Sequence, residues 1–586
     1  MRRVPRSQLR PSQSITRGSV FQVGILLGIL VVCLTTGCKP NPSSKPPSNS
    51  KPTIELAKSA TFVKREDSTF DNCNFHNARE SGLTAILEIV GGGVGCIDFD
   101  RDGWTDLIFP RGGKIDLETK QVTGLSSKVI RNIGNWEYRD CSNAAGFVFD
   151  GVYAHGIASS DFDQDGFCDV LIYGFGGVIL VRNQGDGTFS DVTDSVGLKQ
   201  SKWTTAAAWG DFNNDRNLDL YLGSYVDWDL ARNQVCKARN DQPDVCSPNA
   251  YEGVQNSVAI NHGDGSFSIS SELLKTTQPA KTLGALAAEF EPGNGIAVYA
   301  ANDLVANFLF TKKNGQYLEH GFASGVAVDD SGVANGSMGV ALLDFNLDCN
   351  FDLFVTNFEH ELMGLYLNAE DDFFNHASRK VGLNRTDLNS VAFGVVATDF
   401  DGDGDEDIIY TCGHVHYFPD VGPMEQLPIY LQNEAGQRLS KITPNCKYFS
   451  DPTVGRGLAT ADLDQDGDLD LIGTSLFGPP SIVENTFATA DWLKIELVGV
   501  HCARTPIGAT AELTIGKTKM VRQLHGGGSF LSQSEQLLHF AWPREASDSQ
   551  SALVGSLVIR WPDGTTSKPI TVESNKQLIV VQSQNR

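Results

Sequence analysis

Six times along this chain, oxygen-bearing side chains fall at positions 1, 3, 5 and 9 of a nine-residue stretch. The first three sets are Asp98, Asp100, Asp102 and Asp106; Asp161, Asp163, Asp165 and Asp169; and Asp211, Asn213, Asp215 and Asp219. The later sets are Asp344, Asn346, Asp348 and Asp352; Asp399, Asp401, Asp403 and Asp407; and Asp462, Asp464, Asp466 and Asp470. The spacing suits a hard cation, because calcium takes six to eight oxygens at about 2.3–2.6 Å. In a tightly curled loop, positions 1, 3 and 5 converge on one point and position 9 closes the shell. Position 7 offers its backbone carbonyl, so its side chain is free to vary, and it does: Trp104, Phe167, Asn217, Asn350, Asp405 and Asp468. Position 6 needs a sharp turn, supplied by Gly103, Gly166, Gly404 and Gly467. Arg216 and Cys349 stand there in the two loops that also carry asparagine at position 3, which makes those two the weakest expected sites. Acids this crowded repel one another unless a cation sits among them. The expectation is Ca2+ at five or six sites. An EF-hand does not fit, since it needs flanking helices and a glutamate at position 12, where the first loop has Phe109.

The elements that must carry these loops repeat with them. A small or apolar run precedes each loop, as in Gly156 to Phe162, and a short strand pattern such as DLYLGS, DLFVTN or DLIGTS follows. A third strand often ends in asparagine before a glycine turn (ILVRN-QGDG, VAINHGDG), and a fourth segment starts with an aromatic residue. Between the loops at 211 and 344 lies a stretch about two units long, and within it Gly284 to Tyr299 keeps the pattern without the acids. There Glu289, Glu291, Gly293 and Ala297 occupy positions 1, 3, 5 and 9. The expected fold is therefore all-β: a seven-bladed β-propeller over residues 56–488, with one blade lacking metal. The last unit lacks a fourth strand, which residues 60–83 are expected to supply, leaving no exposed sheet edge. From Trp492 the loops stop and seven apolar segments follow, WLKIELVGV to QLIVVQ, which predict a small antiparallel β domain over residues 489–586.

The start of the chain reads as an address. Five arginines precede an apolar run, Val20 to Leu34, that ends in Leu34-Thr35-Thr36-Gly37-Cys38. Residues 1–38 read as a signal peptide with a lipobox-like end, Cys38 as the lipidated residue, and 39–55 as a Pro/Ser linker. The expected location is exported, either a bacterial cell-envelope lipoprotein or secreted, with any membrane contact made only through the lipid anchor or signal segment. In that oxidising setting, Cys236 and Cys246 in the unit 3 insertion, Tyr225 to Tyr251, are the expected disulfide.

A net charge of −24 without a basic stripe argues against nucleic acid as a partner. The 12 cysteines form no CxxC pair, which argues against zinc ribbons and c-type haem. No G-x-S-x-G nucleophile motif occurs, and no catalytic residue is assigned. His360 and Glu361, or His414 and His416 of CGHVHYF, are the candidates for the alternative, a polysaccharide-active enzyme with its site in the propeller funnel. The first reading is a binding module for an extracellular protein or glycan; a self-associating envelope scaffold is the third.

The repeated units resemble FG-GAP/VCBS repeats, most closely at Gly455-Arg-Gly-Leu-Ala-Thr-Ala-Asp-Leu-Asp-Gln-Asp-Gly-Asp-Leu-Asp-Leu. The C-terminal part looks like an ASPIC/UnbV domain at Trp492-Leu493, Pro506-Ile507-Gly508-Ala509, Gly526-Gly-Gly-Ser-Phe-Leu-Ser-Gln-Ser534 and Arg560-Trp-Pro-Asp-Gly564. The arrangement is that of the cartilage acidic protein 1-like family. The resemblance implies an extracellular calcium-binding protein with integrin-type loops, without established catalysis, that binds other macromolecules.

Overall fold

The computed structural model describes residues 60–584, apart from 277, 370–372, 384–387, 487–489 and 545–553. The signal segment, Cys38 and the Pro/Ser linker lie outside the described residues.

Short strands of small and β-branched residues, broken by Asp-Gly turns, fold into antiparallel sheets. Unit 1 is built from Gly95–Ile97, Asp106–Phe109, Lys128–Asn132 and Tyr138–Asp140. Six further units follow, with first strands Tyr153–Ser160, Thr204–Gly210, Thr282–Ala288, Val340–Leu343, Ala392–Thr398 and Gly455–Ala461. Four are four-stranded, while the unit 2 sheet is extended to seven strands by Gly112–Asp116, Gln121–Gly124 and His76–Asn77 and the unit 4 sheet to five by Gly526–Gly527. These first strands neighbour one another in sequence order, and that of unit 7 meets that of unit 1, so the ring closes. Those of units 2, 3, 4 and 7 are buried along their whole length and built mostly of small and apolar residues, because both of their sides are covered.

The ring closes through the chain's own start, but more briefly than the sequence suggests. Phe62–Arg65 pairs antiparallel with Ser481–Asn485 as the fourth strand of unit 7. Residues 66–83 do not continue that strand. The Asp67 side chain accepts from the Thr69 amide at 2.7 Å and starts a 3-10 turn, Ser68–Asn72. The chain then crosses the disc face opposite the acidic loops, where Ile86, Leu87 and Ile89 are buried at the mouth of the central channel. Fully buried Arg456 anchors this segment, its guanidinium donating to the carbonyls of Ile89, Gly413 and His414.

The unit 3 insertion reinforces the same face. Cys236 and Cys246 are joined, with Cα atoms 5.0 Å apart. Between them Asp244 accepts from the amides of Tyr417 and Phe418 at 2.9 and 3.1 Å, tying unit 3 to unit 6.

The seven C-terminal strands form two sheets, one of three strands and one of four. They are antiparallel except that Ala490–Val498 pairs parallel with Lys576–Val581, since the last strand returns beside the first. Between strands, Gly526 to Gln536 enters the channel from the loop face. The Gly528 amide donates to Ala285 O at 2.8 Å, and Ser529 exchanges hydrogen bonds with Val340 at 2.6 and 3.1 Å. Leu531 O accepts from Ile157, and Gln533 exchanges hydrogen bonds with Val94 and Cys96 at 2.8 and 3.0 Å. Phe530 is fully buried, its ring 4.9 Å from that of Phe393. The channel is thus filled from one side by this loop and covered from the other by residues 76–90.

Only glycine fits where the loop threads past unit 3. A Cβ on Gly526 would lie 1.9 Å from Trp209 O. Gly526→Ala is expected to cost about 2 kcal/mol or more, the scale of overpacking a close-packed interior. Thermal and denaturant melts check this, and unchanged stability would mean the loop is not seated as described.

Candidate metal loops

Each acidic loop joins a first strand to a second strand, so all lie on one face of the disc. The local fold follows from the sequence. In the Asp98 loop the two carboxylate oxygens of position 1 accept the amides of Asp102 and Gly103 at 3.1 and 2.9 Å. The same pairing recurs from Asp211, Asp344 and Asp399. Residue 4 takes positive φ in several loops, as at Arg101 and Gln465, and the glycine at position 6 does too.

Ligand atoms of Asp98, Asp100 and Asp106 lie within 4.8 Å of one another, as do those of Asp161, Asp163 and Asp169, of Asp399, Asp401 and Asp407, and of Asp462, Asp464 and Asp470. The residues fit a cation on a second count. Asp100 Oδ1, Asp161 Oδ1, Asp401 Oδ1, Asp405 Oδ1, Asp462 Oδ1 and Asp468 Oδ1 are buried without a hydrogen-bond partner in the protein. A buried carboxylate oxygen left bare costs several kcal/mol at minimum, so each points to a ligand of opposite charge.

The loops of units 3 and 5 differ. The amides of Asn213 and Asn346 donate to Asp215 Oδ2 and Asp348 Oδ2, both at 2.9 Å, which turns position 3 inward on its own loop. Trp104 and Phe167 at position 7 pack under the turn glycines of the third strands, Gly134 and Gly185.

Position 9 is the most enclosed. Asp106, Asp169, Asp219, Asp352, Asp407 and Asp470 are all fully buried. Each gives one oxygen to the amide of an asparagine that ends the third strand of its unit: Asn132, Asn183, Asn261, Asn368, Asn433 and Asn485, at 2.8–2.9 Å. Those asparagines reach further. The side chains of Asn132, Asn183, Asn261, Asn433 and Asn485 donate to the position 2 carbonyl of the preceding unit's loop: Leu463, Phe99, Phe162, Phe345 and Phe400, at 2.8–3.0 Å. The loops are therefore linked to one another around the ring. The recurrent strand-ending asparagine was visible in the sequence, but its bond to the neighbouring unit required the closed ring.

Unit 4 shows what stands in place of the acidic cluster. Position 9 is Ala297, and the third-strand residue in register with the other units' asparagine is Lys312, whose ammonium donates to Asn214 of the preceding loop at 3.0 Å. Glu289 at position 1 is buried 3.4 Å from the guanidinium of Arg560 in the C-terminal domain. Gln523 of the same domain brackets the Glu289 backbone, accepting its amide at 2.7 Å and donating to its carbonyl at 2.8 Å.

Elsewhere, too, C-terminal cations face position 1. Lys494 lies 2.7 Å from Asp462, and Arg504 lies 3.3 Å from Asp161. Within the propeller, Arg131 bridges Asp100 and Asp102, and Arg182 reaches Asp163.

The histidines of CGHVHYF do not converge. His414 Nδ1 accepts from the His416 amide at 3.0 Å, so the ring proton sits on Nε2, which faces Glu359 at 3.4 Å. His416 turns to Asp244 at 3.6 Å. The Glu361 carboxylate accepts from the amides of Gly336 and Phe358, and His360 is exposed at positive φ.

Residues 161–222 match the FG-GAP-like repeat family, and residues 499–586 match the ASPIC and UnbV family. The chain is 28% identical over 301 residues to cartilage acidic protein 1 of Xenopus tropicalis, covering 47% of this chain and 42% of that protein. It is 24% identical over 487 residues to cartilage acidic protein 1 of Mus musculus, covering 70% of each. An Agrocybe aegerita lectin described as recognising non-reducing terminal N-acetylglucosamine aligns over 67% of this chain and 93% of its own, at 14% identity and a TM-score of 0.37, too slight a likeness to carry an argument.

Two outcomes follow from the geometry. Asn183→Ala leaves Phe99 O without its partner, and a loss of about 1–3 kcal/mol in denaturant melts is expected. The second concerns pH. Burial pushes the carboxyls of Asp106 and Asp169 up to about 9, and those of Asp352 and Asp219 to about 8 and 7, from an ordinary 3.8. Over that window the metal-free fold holds more protons than the unfolded chain, so its stability falls as pH rises. A bound cation requires the deprotonated form, so its stabilisation grows over the same window. Metal-stripped protein should melt higher at pH 5 than at pH 8, and the calcium-induced gain in melting temperature should be larger at pH 8.

The chain thus carries an FG-GAP-like repeat within an all-β ring and an ASPIC and UnbV region after it, and is similar across most of its length to cartilage acidic protein 1.

Proposed function

We propose that this protein is an exported, calcium-dependent binding module whose metal is structural and whose partner is an extracellular protein or glycan. The observation that carries the reading is the set of four converged carboxylate clusters, each with one buried oxygen that has no partner in the protein, on Asp100, Asp161, Asp401 and Asp462. Calcium bound there neutralises the loops and holds the turn from first to second strand. At ten times its dissociation constant, one site adds about 1.4 kcal/mol and six independent sites roughly 8. That rivals the whole stability of an ordinary domain, about 5–15 kcal/mol.

The channel is filled by the chain's own residues, and the C-terminal domain contacts the loop face. The face left to a partner is the opposite one, where the disulfide-closed insertion and residues 413–428 meet through Asp244. Export rests on the arginine-rich start, the Val20 to Leu34 run and Cys38. Among the described residues no helix is long and apolar enough to cross a membrane.

The test is bound metal per chain on a soluble form starting near Lys51, with melts before and after chelation. Five or six calcium ions are expected from the six loops, with a large fall in melting temperature on chelation. Fewer than three ions, or an unchanged melt, would remove calcium from the function.

A further inference from the structure

The six loops are alike in sequence but not in what lies over them. In unit 7 the C-terminal domain holds the loop at two points. Lys494 Nζ pairs with Asp462 Oδ2 at 2.7 Å, and the two side chains are 5% and 0% exposed. At position 6, His539 Nε2 donates to Gly467 O at 2.7 Å, and a Cβ on Gly467 would lie 1.9 Å from Cε2 of Trp492. Glu535 of the plugging loop adds a third contact, accepting the Asp462 amide at 3.4 Å. Positions 1 and 6 are the two ends of the tight turn, so the turn cannot unwind while the domain is seated. Gln465 and Asp466 at its tip stay exposed, so solvent reaches the loop without freeing it. The unit 3 loop is the opposite case: Asn213, Asn214, Asp215 and Arg216 are all exposed. The unit 1 loop likewise exposes Arg101, Asp102 and Gly103.

We propose that the C-terminal domain divides the bound calcium into two kinetic pools: the unit 7 ion leaves only when that domain lifts, and the ions of units 1 and 3 exchange directly with solvent. The proposal rests on the reading of the loops as calcium sites. Its physical basis is that release from a curled loop requires the turn to open. Opening unit 7 means breaking a buried ion pair and lifting an indole from a glycine, a sub-global event far rarer than the flicker of an exposed loop. The solvent-exposed loops would then follow ambient calcium, and the clamped one would keep the two domains together through transient depletion.

The experiment is exchange of radioactive calcium at constant free calcium on the full folded chain, which avoids unfolding by a chelator. A fast phase that includes the ions of units 1 and 3 and a slow phase of at least one ion per chain, that of unit 7, are expected; the unit 6 loop, with Asp399, Asp401 and Asp405 buried, belongs to the slow side. Trp492→Leu and Lys494→Met should speed the slow phase by at least about tenfold without changing the total bound, as loss of a tertiary clamp does. Asp219→Asn should reduce only the fast amplitude. Exchange of every ion in one phase would overturn the proposal, and so would a slow phase that Trp492→Leu leaves unaltered. If the variants do not fold, the wild-type chain still decides: the slow rate must coincide with the rate at which the Ala490–Val498 amides open to deuterium, and a faster release refutes the clamp. Absence of bound calcium altogether would instead sink the calcium reading itself.

Discussion

Like charges held at short range are the constraint on which this structure depends. Each complete loop places carboxylates within 4.8 Å of one another, and the innermost of them, at position 9, has no exposure to water. At an effective dielectric of about 20, two charges 4 Å apart interact by about 4 kcal/mol. Hydrogen bonds from loop amides offset part of this, and the oxygens left bare state how much remains. The backbone turn, the glycine at position 6 and the asparagine after the third strand all serve to hold that arrangement. Unit 4 supports the argument by contrast. With no aspartates and no acid at positions 5 and 9, one guanidinium, that of Arg560, stands beside the position 1 charge of Glu289.

The same atoms that define a loop also join one unit to the next. Position 9 binds the asparagine of its own unit, and that asparagine binds position 2 of the preceding loop. A disturbance at one acidic loop therefore reaches its neighbour through two hydrogen bonds. The disc is further tied across its two faces, by the C-terminal loop in the channel on one side and by residues 76–90 and the Asp244 contact on the other. The small residues of the first strands, such as Thr204–Gly210 with its run of alanines, leave room for that loop.

Much of this was legible beforehand, because a repeated nine-residue spacing is local information. The strand–loop–strand unit, the degenerate copy at Glu289 and the change of pattern at Trp492 all follow from periodicity and turn residues. What was not legible depends on contacts between distant parts. Phe62–Arg65 closes the ring, but nothing in residues 66–83 marks their departure from the strand except Asp67, whose capping role needs coordinates. The stretch Gly526 to Ser534 carried the resemblance to the ASPIC/UnbV family, yet its glycines explained nothing until Trp209 O was found where a Cβ would be. Nothing local marks Lys494, Arg504 and Arg560 as partners of the loops, since the acids they meet lie far away in the sequence. Likewise nothing local in CGHVHYF showed that the backbone amide of His416 would fix the tautomer of His414.

The filled channel also bears on how the molecule is made. A ribosome delivers residues 95–485, the whole circle of sheets apart from its closing strand, well before it delivers Gly526 to Gln536. Until then the first strands surround a space lined by Ala, Val and Leu side chains with nothing in it. The closing strand, by contrast, is the earliest described segment to emerge, and it waits for Ser481–Asn485. Contacts in the two joins span 425 and 438 residues, so loop-closure entropy is spent before either contact can reward it, and slow maturation is the natural result. A shortened product that ends before residue 526 would carry every acidic loop and the packing between units, and still lack the segment that fills the channel.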